Sequence, residues 1–295
     1  MHGRPRLTAL LLLLAACRAG DAEPAGGGEH AADDTGEPGD EEPARVGPEY
    51  SHGTCPALSE GTIDAFATGG TSYRVRIELP PDPVGAPVLF AWHWLGGRAQ
   101  DIIRTMDLDD LADEEGVIVI APDSDGSAYE WHFLDDPEGN PDLLLFEDLL
   151  SCAWQQFDAD LDRVHALGMS AGGLQTTYLS MHEADWLAST APFSGGTLDG
   201  FYATPARPLP VLITWGGPDD TYGSLSFEET SLNFAAHLVE DGSFVVECVH
   251  DGGHTIPDGA TEYAWRFLSD HPYGVDPEPY ADGLPEGFPS FCRIP

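Results

Sequence analysis

Lysine is absent from this sequence of 295 residues, and all 12 of its basic residues are arginines. Aspartate and glutamate number 51, which gives a formal net charge of −39. A surface this acidic repels phosphate backbones, so nucleic acid is a poor partner. We interpret the charge as a solvated coat that keeps the protein soluble.

The apolar run nearest the N-terminus is too short to span a bilayer as a helix. It covers Leu7 to Ala16, follows a basic start and ends in small residues before Cys17. These features predict a cleaved export signal over residues 1–16. Its ending resembles a bacterial lipoprotein signal, which implies lipidation of Cys17 and, since Arg18 follows, sorting to the outer membrane. The alternative is an ordinary secretory signal in which Cys17 has no role.

Apolar periodicity is missing from the next segment, residues 17–50. This segment is rich in Gly, Pro, Ala, Asp and Glu, and cannot bury enough apolar surface to order itself. We predict a disordered acidic tether there and one catalytic domain over residues 51–295, because the length leaves no room for two full domains.

Cysteine is scarce, with five residues, and none of them forms a C-x-x-C pair. If Cys17 carries lipid, four remain, and an even number in an exported domain predicts two disulfides. The sequence leaves all three pairings open. The four residues are Cys55, Cys152, Cys248 and Cys292.

Strand and helix patterns alternate from Ser51 onward. Continuous apolar runs such as Pro87 to Trp94 and Val211 to Trp215 are typical of buried central strands. A helical spacing over Ala99 to Glu115 predicts one helix between two such strands. The alternation predicts an α/β fold with a mostly parallel sheet of about eight strands and helices on both faces. The Pro-rich end, His271 to Pro295, is interpreted as a wrapping tail.

A G-x-S-x-G pattern is centred on Ser170. The β-rich run Val164 to Leu167 precedes it and a helix-forming stretch follows, which is the context of a nucleophile elbow. The serine must stand on a sharp turn, and Gly168 and Gly172 relieve the crowding around it. We therefore predict Ser170 as a catalytic nucleophile.

A base and an acid follow in the chain order typical of α/β-hydrolases. His254 lies in a loop after the strand-like run Phe244 to Val249 and is the predicted base. We predict Asp219, after the strand ending at Trp215, as the acid. Asp220 is its rival and Asp251 a more distant candidate.

Oxyanion donors are expected from two backbone amides. One is the N–H of Ala171, directly after the nucleophile, and the other is the N–H of Leu95, in the loop after an earlier strand. His93, Trp94 and Trp131 are candidates for the lining of a substrate cleft.

Three motifs together resemble those of secreted α/β-hydrolases of the polyhydroxybutyrate depolymerase and feruloyl esterase group. They are His93-Trp94-Leu95-Gly96-Gly97, Gly168-Met169-Ser170-Ala171-Gly172-Gly173 and Gly252-Gly253-His254-Thr255-Ile256-Pro257. The resemblance covers roughly Gly70 to Asp270 and implies a serine esterase. It also aligns Asp219 with the acid of the family. Trp94 follows His93 as in the feruloyl-esterase branch, and this part of the resemblance implies aromatic-acid esters of the feruloyl type over polyhydroxyalkanoates.

The expected protein is therefore an exported serine carboxylesterase, a monomer without metal or organic cofactor, whose partners are its ester substrate and the membrane that holds its anchor. Two alternatives stay open. The same fold could serve an exported peptidase or a lipase-like hydrolase. A surface-binding lipoprotein without catalysis is also conceivable, although such a protein has no chemical reason to keep Ser, Asp and His together.

Overall fold

The structure is a computed structural model and describes residues 45–295. The predicted export signal, the lipidation site Cys17 and most of the predicted tether lie outside the described residues. Within residues 45–295, no helix is both long enough and apolar enough to cross a membrane.

The strands of the described region divide into one large sheet and one small hairpin. They are β1 (Gly61–Thr68), β2 (Thr71–Glu78), β3 (Val88–Trp92), β4 (Ile118–Pro122), β5 (Val164–Met169), β6 (Ser189–Phe193), β7 (Val211–Trp215), β8 (Thr221–Tyr222), β9 (Leu225–Ser226), β10 (Val245–Val249) and β11 (Cys292–Arg293).

The large sheet has nine strands in the order β1-β2-β4-β3-β5-β6-β7-β10-β11. Its six strands from β4 to β10 are parallel, and the antiparallel strands β1, β2 and β11 stand at the two edges. The strands β8 and β9 form the hairpin. The mostly parallel sheet is confirmed.

Helices lie in most of the connections between consecutive parallel strands, because a parallel pair needs a long crossover connection. The helices of the described residues are α1 (Ala99–Thr105), α2 (Leu108–Glu115), α3 (Pro141–Phe157), α4 (Ala171–His182), α5 (Phe227–Glu240) and α6 (Ala260–Asp270).

Two hydrophobic cores cover the two faces of the sheet. Successive side chains of a strand point to opposite faces, so Phe90 of β3 belongs to the core that also contains residues of α3, α4 and α5, while its neighbours Leu89 and Ala91 belong to the core that contains residues of α1, α2 and α6. Every residue of β3 through β7 is buried, as expected for parallel strands covered on both sides.

Two local predictions need correction. The helix predicted over 99–115 is broken into α1 and α2, because Asp107 adopts a left-handed backbone conformation with φ of 47°. The sheet also gains strands that the sequence pattern did not reveal, since β1 and β11 belong to it as edge strands. The C-terminal segment thus adds a strand to the sheet.

Both predicted disulfides are confirmed, and the structure supplies the pairing. Cys55 is bonded to Cys152 of α3, and Cys248 of β10 to Cys292 of β11. The second bond fastens the edge strand β11 to β10, and β10 leads directly into the loop that carries His254. Disulfides are typical of oxidising compartments, which is consistent with export.

Candidate active site

Ser170 stands on the sharp turn between β5 and α4. Its backbone has φ of 60° and ψ of −116°, a strained combination for a residue with a side chain. A Cβ on Gly168 would lie 2.3 Å from the carbonyl oxygen of Gly172, and a Cβ on Gly172 would lie 1.9 Å from that of Trp92. Only glycine fits at these two positions, so the pattern of the sequence is a steric requirement of the turn.

His254 reaches Ser170 from the loop after β10. Its Nε2 lies 2.9 Å from the Oγ of Ser170, and its Nδ1 lies 2.7 Å from Oδ1 of Asp220. Since a carboxylate can only accept, Nδ1 carries the proton and Nε2 is free to accept the hydroxyl proton of Ser170. Phe227, the first residue of α5, stacks on the imidazole with ring centroids 4.7 Å apart and fixes the plane of the ring.

The carboxylate that contacts His254 belongs to Asp220 and not to Asp219, so the predicted acid is off by one position. Asp220 is fully buried, whereas the side chain of Asp219 is exposed. The cause is a short 3₁₀ turn over Gly217–Asp219, which rotates the chain so that only the residue after the turn faces inward. Asp251, the more distant candidate, is exposed and makes no contact with His254.

Asp220 is held by two further donors besides His254. Its Oδ2 accepts from the hydroxyl of Ser194 and from the amide of Gly216, each at 2.8 Å. Three hydrogen bonds to the ionised form stabilise a buried carboxylate that would otherwise be costly. Ser194 was not predicted from the sequence as a functional residue. It directly follows β6, and a polar residue at the carboxyl end of a parallel strand is the same signal that marks the loop of Asp220.

The loop that carries Asp220 (the acid loop, residues 216–220) and the loop that carries His254 (the histidine loop, residues 250–257) touch at two glycines. A Cβ on Gly216 would lie 1.9 Å from the carbonyl oxygen of Gly253, so no other residue fits there. Gly253 has a positive φ of 66° and donates from its amide to the carbonyl of Gly216 at 3.2 Å. This backbone contact brings His254 over the end of the sheet and sets its distance from Asp220.

No family model matches the chain. Feruloyl esterase B of Thermothelomyces thermophilus is 28% identical over 148 residues, which are 48% of this chain and 50% of that protein. The oxidized polyvinyl alcohol hydrolase of Sphingopyxis sp. is 23% identical over 218 residues, 59% of this chain and 58% of that protein. The chain thus spans about half the length of the curated relatives it matches.

The solved structure of a protein named pOPH matches with a TM-score of 0.67 and 20% identity, over 82% of this chain and 96% of that chain. The chain has the α/β-hydrolase fold. Esterases among the relatives also confirm the resemblance drawn from the three motifs. In this fold a nucleophile, an acid and a histidine follow strands in that order, as Ser170, Asp220 and His254 do here.

The two amides expected to bind an oxyanion are both free to do so. Neither the N–H of Leu95 nor that of Ala171 donates to another group within residues 45–295. Ala171 is the first residue of α4, so the positive end of the helix dipole lies beside Ser170. Leu95 shares the walls of two cavities with Ser170. A carbonyl oxygen beside Ser170 could accept from both amides.

Of the three aromatic candidates for the cleft, only Trp94 lines one. His93 and Trp131 are buried beneath the active-site surface, and the indole N–H of Trp131 donates to the carbonyl of His93 at 2.9 Å. Burial lowers the pKa of His93 and so favours its neutral form. These two residues support the loop that carries Leu95 instead of contacting substrate.

Two cavities of about 370 Å³ each open beside Ser170. The first is lined mainly by apolar side chains and, although the protein is so acidic, by no charged residue. The walls of this first cavity include Phe133, Leu134, Met181, Leu198, Phe201 and Phe227. The second cavity is lined by Trp94, Ile256 and the imidazole of His254, among others.

The ionisable side chains of the described residues do not form the ligand set of a metal ion. Within the described part of the chain, no group of three or more His, Cys, Asp and Glu residues could hold a metal ion. His250, which lies four positions before His254, is buried, and its Nδ1 accepts from the amide of Gly252 at 3.1 Å. Its role is therefore to hold the histidine loop.

Proposed function

We propose that the protein is an exported serine esterase that hydrolyses carboxylic esters through an acyl-enzyme. The observation that carries the proposal is the continuous line of hydrogen bonds from Ser170 through His254 to Asp220, at 2.9 Å and 2.7 Å. Nucleophile, base and orienting acid are thus each within reach of the next. The esterases among the relatives support the same class of reaction.

The mechanism follows from the direction of these bonds. The Oγ of Ser170 attacks the ester carbonyl while its proton passes to Nε2 of His254. Asp220 faces the resulting imidazolium at Nδ1 and offsets its charge. The amides of Leu95 and Ala171 donate to the oxyanion of the tetrahedral intermediate. Nε2 then returns the proton to the departing alcohol, and water releases the acyl group by the same steps.

One cavity suits the alcohol part of an ester and the other suits its acyl part. Nε2 of His254 must protonate the leaving oxygen, so the alcohol lies on the side of His254, in the cavity lined by Trp94 and Ile256. The acyl group then occupies the cavity on the other side of Ser170. Because no charged residue lines that cavity, it favours a neutral, apolar acyl group. Feruloyl-type and polyhydroxyalkanoate-type esters both satisfy this condition.

A matched pair of substrates tests the assignment of the acyl cavity. The p-nitrophenyl esters of butyrate and of succinate have the same chain length and leaving group and differ by one terminal carboxylate. We expect kcat/KM to be about 100-fold higher for the butyrate, because the uncharged cavity cannot pair the carboxylate. Methyl ferulate and a polyhydroxybutyrate suspension, measured in the same assay, separate the two substrate types.

An amide analogue separates the esterase from the peptidase alternative. Butyryl p-nitroanilide presents the same acyl group with a nitrogen leaving group. An esterase should cleave the ester and leave the anilide almost untouched, whereas a peptidase turns over both. Turnover of the anilide at a rate comparable to that of the ester would contradict the proposal, and so would equal turnover of the butyrate and succinate esters.

We further propose attachment of the exported protein to the cell envelope, at the outer membrane, through lipid on Cys17. The basic start, the apolar run to Ala16 and the small residues before Cys17 support this. Several acyl chains hold a protein on a membrane, where one binds marginally. In membrane fractions, the wild-type chain should be retained and Cys17→Ser released. A wholly soluble wild type would contradict the attachment.

A further inference from the structure

The loop between Trp94 and Gly97 carries the amide of Leu95, and its own sequence does little to fix it. Gly96 has a positive φ of 74° and is exposed. Within residues 45–295, the only backbone bond that closes the loop runs from the amide of Gly97 to the carbonyl of Trp94 at 2.9 Å. Two adjacent glycines can rotate freely, so something outside the loop must orient the peptide of Leu95.

Glu130 contacts this loop from the segment after β4. Its Oε1 accepts from the amide of Gly96 at 2.8 Å, and its Oε2 accepts from the hydroxyl of Ser124. Both carboxylate oxygens are therefore engaged. Glu130 also has a positive φ of 68°, which is strained for a residue with a side chain and has to be offset by contacts elsewhere.

The contacts continue to the other end of the loop. The amide of Ser124 lies 3.3 Å from Nε2 of His93, and Nδ1 of His93 lies 2.9 Å from the carbonyl of Trp94. Since a carbonyl can only accept, Nδ1 carries the proton and Nε2 accepts from Ser124. This series of hydrogen bonds therefore holds the loop at Gly96 and at Trp94, the two neighbours of Leu95.

We infer that Glu130 is a positioning residue that orients the Leu95 amide toward the oxyanion. The inference rests on the proposed esterase function. Glu130 does not itself line either cavity beside Ser170 and acts only through the peptide it holds. Its contribution is preorganisation: the donor points at the oxyanion before the charge develops, so no reorientation is needed during the reaction.

The effect should therefore be seen in kcat and not in substrate binding. Loss of an oxyanion donor typically costs about 10²-fold to 10³-fold in kcat. Loss of its support costs less, because water can replace the carboxylate at the exposed amide of Gly96. We expect Glu130→Ala to lower kcat about tenfold and to leave KM within about twofold.

The conservative variant separates positioning from charge. Glu130→Gln keeps an acceptor for Gly96, and Ser124 can turn its hydroxyl to accept from the new amide group. We expect kcat within about threefold of wild type for Glu130→Gln. Glu138→Ala is the matched control, since Glu138 lies in the same segment and its side chain makes no hydrogen bond within residues 45–295. It should leave both constants unchanged.

The experiment uses the full chain, p-nitrophenyl butyrate and phenylboronic acid, which forms a tetrahedral adduct with an active serine. The inhibition constant of the boronic acid should rise about tenfold in Glu130→Ala, in step with the loss in kcat. Ser124→Ala, which removes the hydroxyl that donates to Oε2 of Glu130 and keeps the backbone bond to His93, should lower kcat about threefold and guards against failure of Glu130→Ala to fold.

The outcomes are distinct. An active wild type with Glu130→Ala within twofold in kcat would overturn the inference alone. So would a Glu130→Gln as impaired as Glu130→Ala, or an unchanged kcat in Ser124→Ala where Glu130→Ala does not fold. An inactive wild type would overturn the proposed function and this inference together.

Discussion

Replacing Ser170 by alanine is expected to lower ester turnover about 10⁶-fold, the loss typical of a serine nucleophile that acts as a unit with its base. The substitution removes one oxygen, and alanine tolerates the strained backbone of the turn no worse than serine does. The fold should therefore persist. The measurement is kcat for p-nitrophenyl butyrate, with thermal unfolding to verify the folded state.

The matched control is Ser72→Ala, at an exposed serine of β2 that lines neither cavity. The side chain of Ser72 makes no hydrogen bond within the described residues, so activity should stay near that of wild type. His254→Ala should lose about as much as Ser170→Ala, and the double variant little more, because the two act in one step. Turnover above about 1% of wild type in Ser170→Ala would identify a different nucleophile.

The elbow around Ser170 could be predicted from sequence because its geometry is local. Each glycine is required by atoms a few residues away or on the adjacent strand, so the pattern G-x-S-x-G carries the steric requirement itself. The central parallel strands were predictable for a similar reason. A strand covered on both faces is apolar at nearly every position, and β3 and β4 are continuous apolar runs of this kind.

The choice between Asp219 and Asp220 could not be made from sequence. The two residues are identical neighbours, and which carboxylate faces inward depends on the turn over Gly217–Asp219. That turn is set by the contact of Gly216 with Gly253, on a loop far along the chain. The resemblance aligned the wrong residue because the glycine was the only match it offered in this loop.

Other differences have the same non-local cause. The sequence pattern around an aromatic residue in a loop is the same whether its side chain faces a cleft or the core. Trp131, predicted as a cleft residue, is buried. The edge strand β11 is two residues long and exists as a strand only through its pairing with β10. The roles of Glu130 and Ser194 also depend on contacts across the fold, to Gly96 and Asp220.

Asp220→Asn is expected to lower kcat about 10⁴-fold, the loss typical of the acid in a serine triad. A neutral amide at this position can donate to Nδ1 of His254 and so stabilises the tautomer that carries its proton on Nε2. That tautomer cannot accept from Ser170, and the amide cannot offset the imidazolium charge. The measurement is kcat for p-nitrophenyl butyrate.

Asp219→Asn is the matched control, with the same chemical change one position away. Its carboxylate is exposed and makes no hydrogen bond within residues 45–295, so it acts on His254 only through a field that solvent and salt screen. We expect kcat within about threefold of wild type. A larger loss in Asp219→Asn than in Asp220→Asn would contradict the arrangement of the acid loop. Wild-type activity in both variants would mean that His254 needs no buried carboxylate. The hydrogen bonds from Ser194 and Gly216 to Asp220 would then have only a structural role.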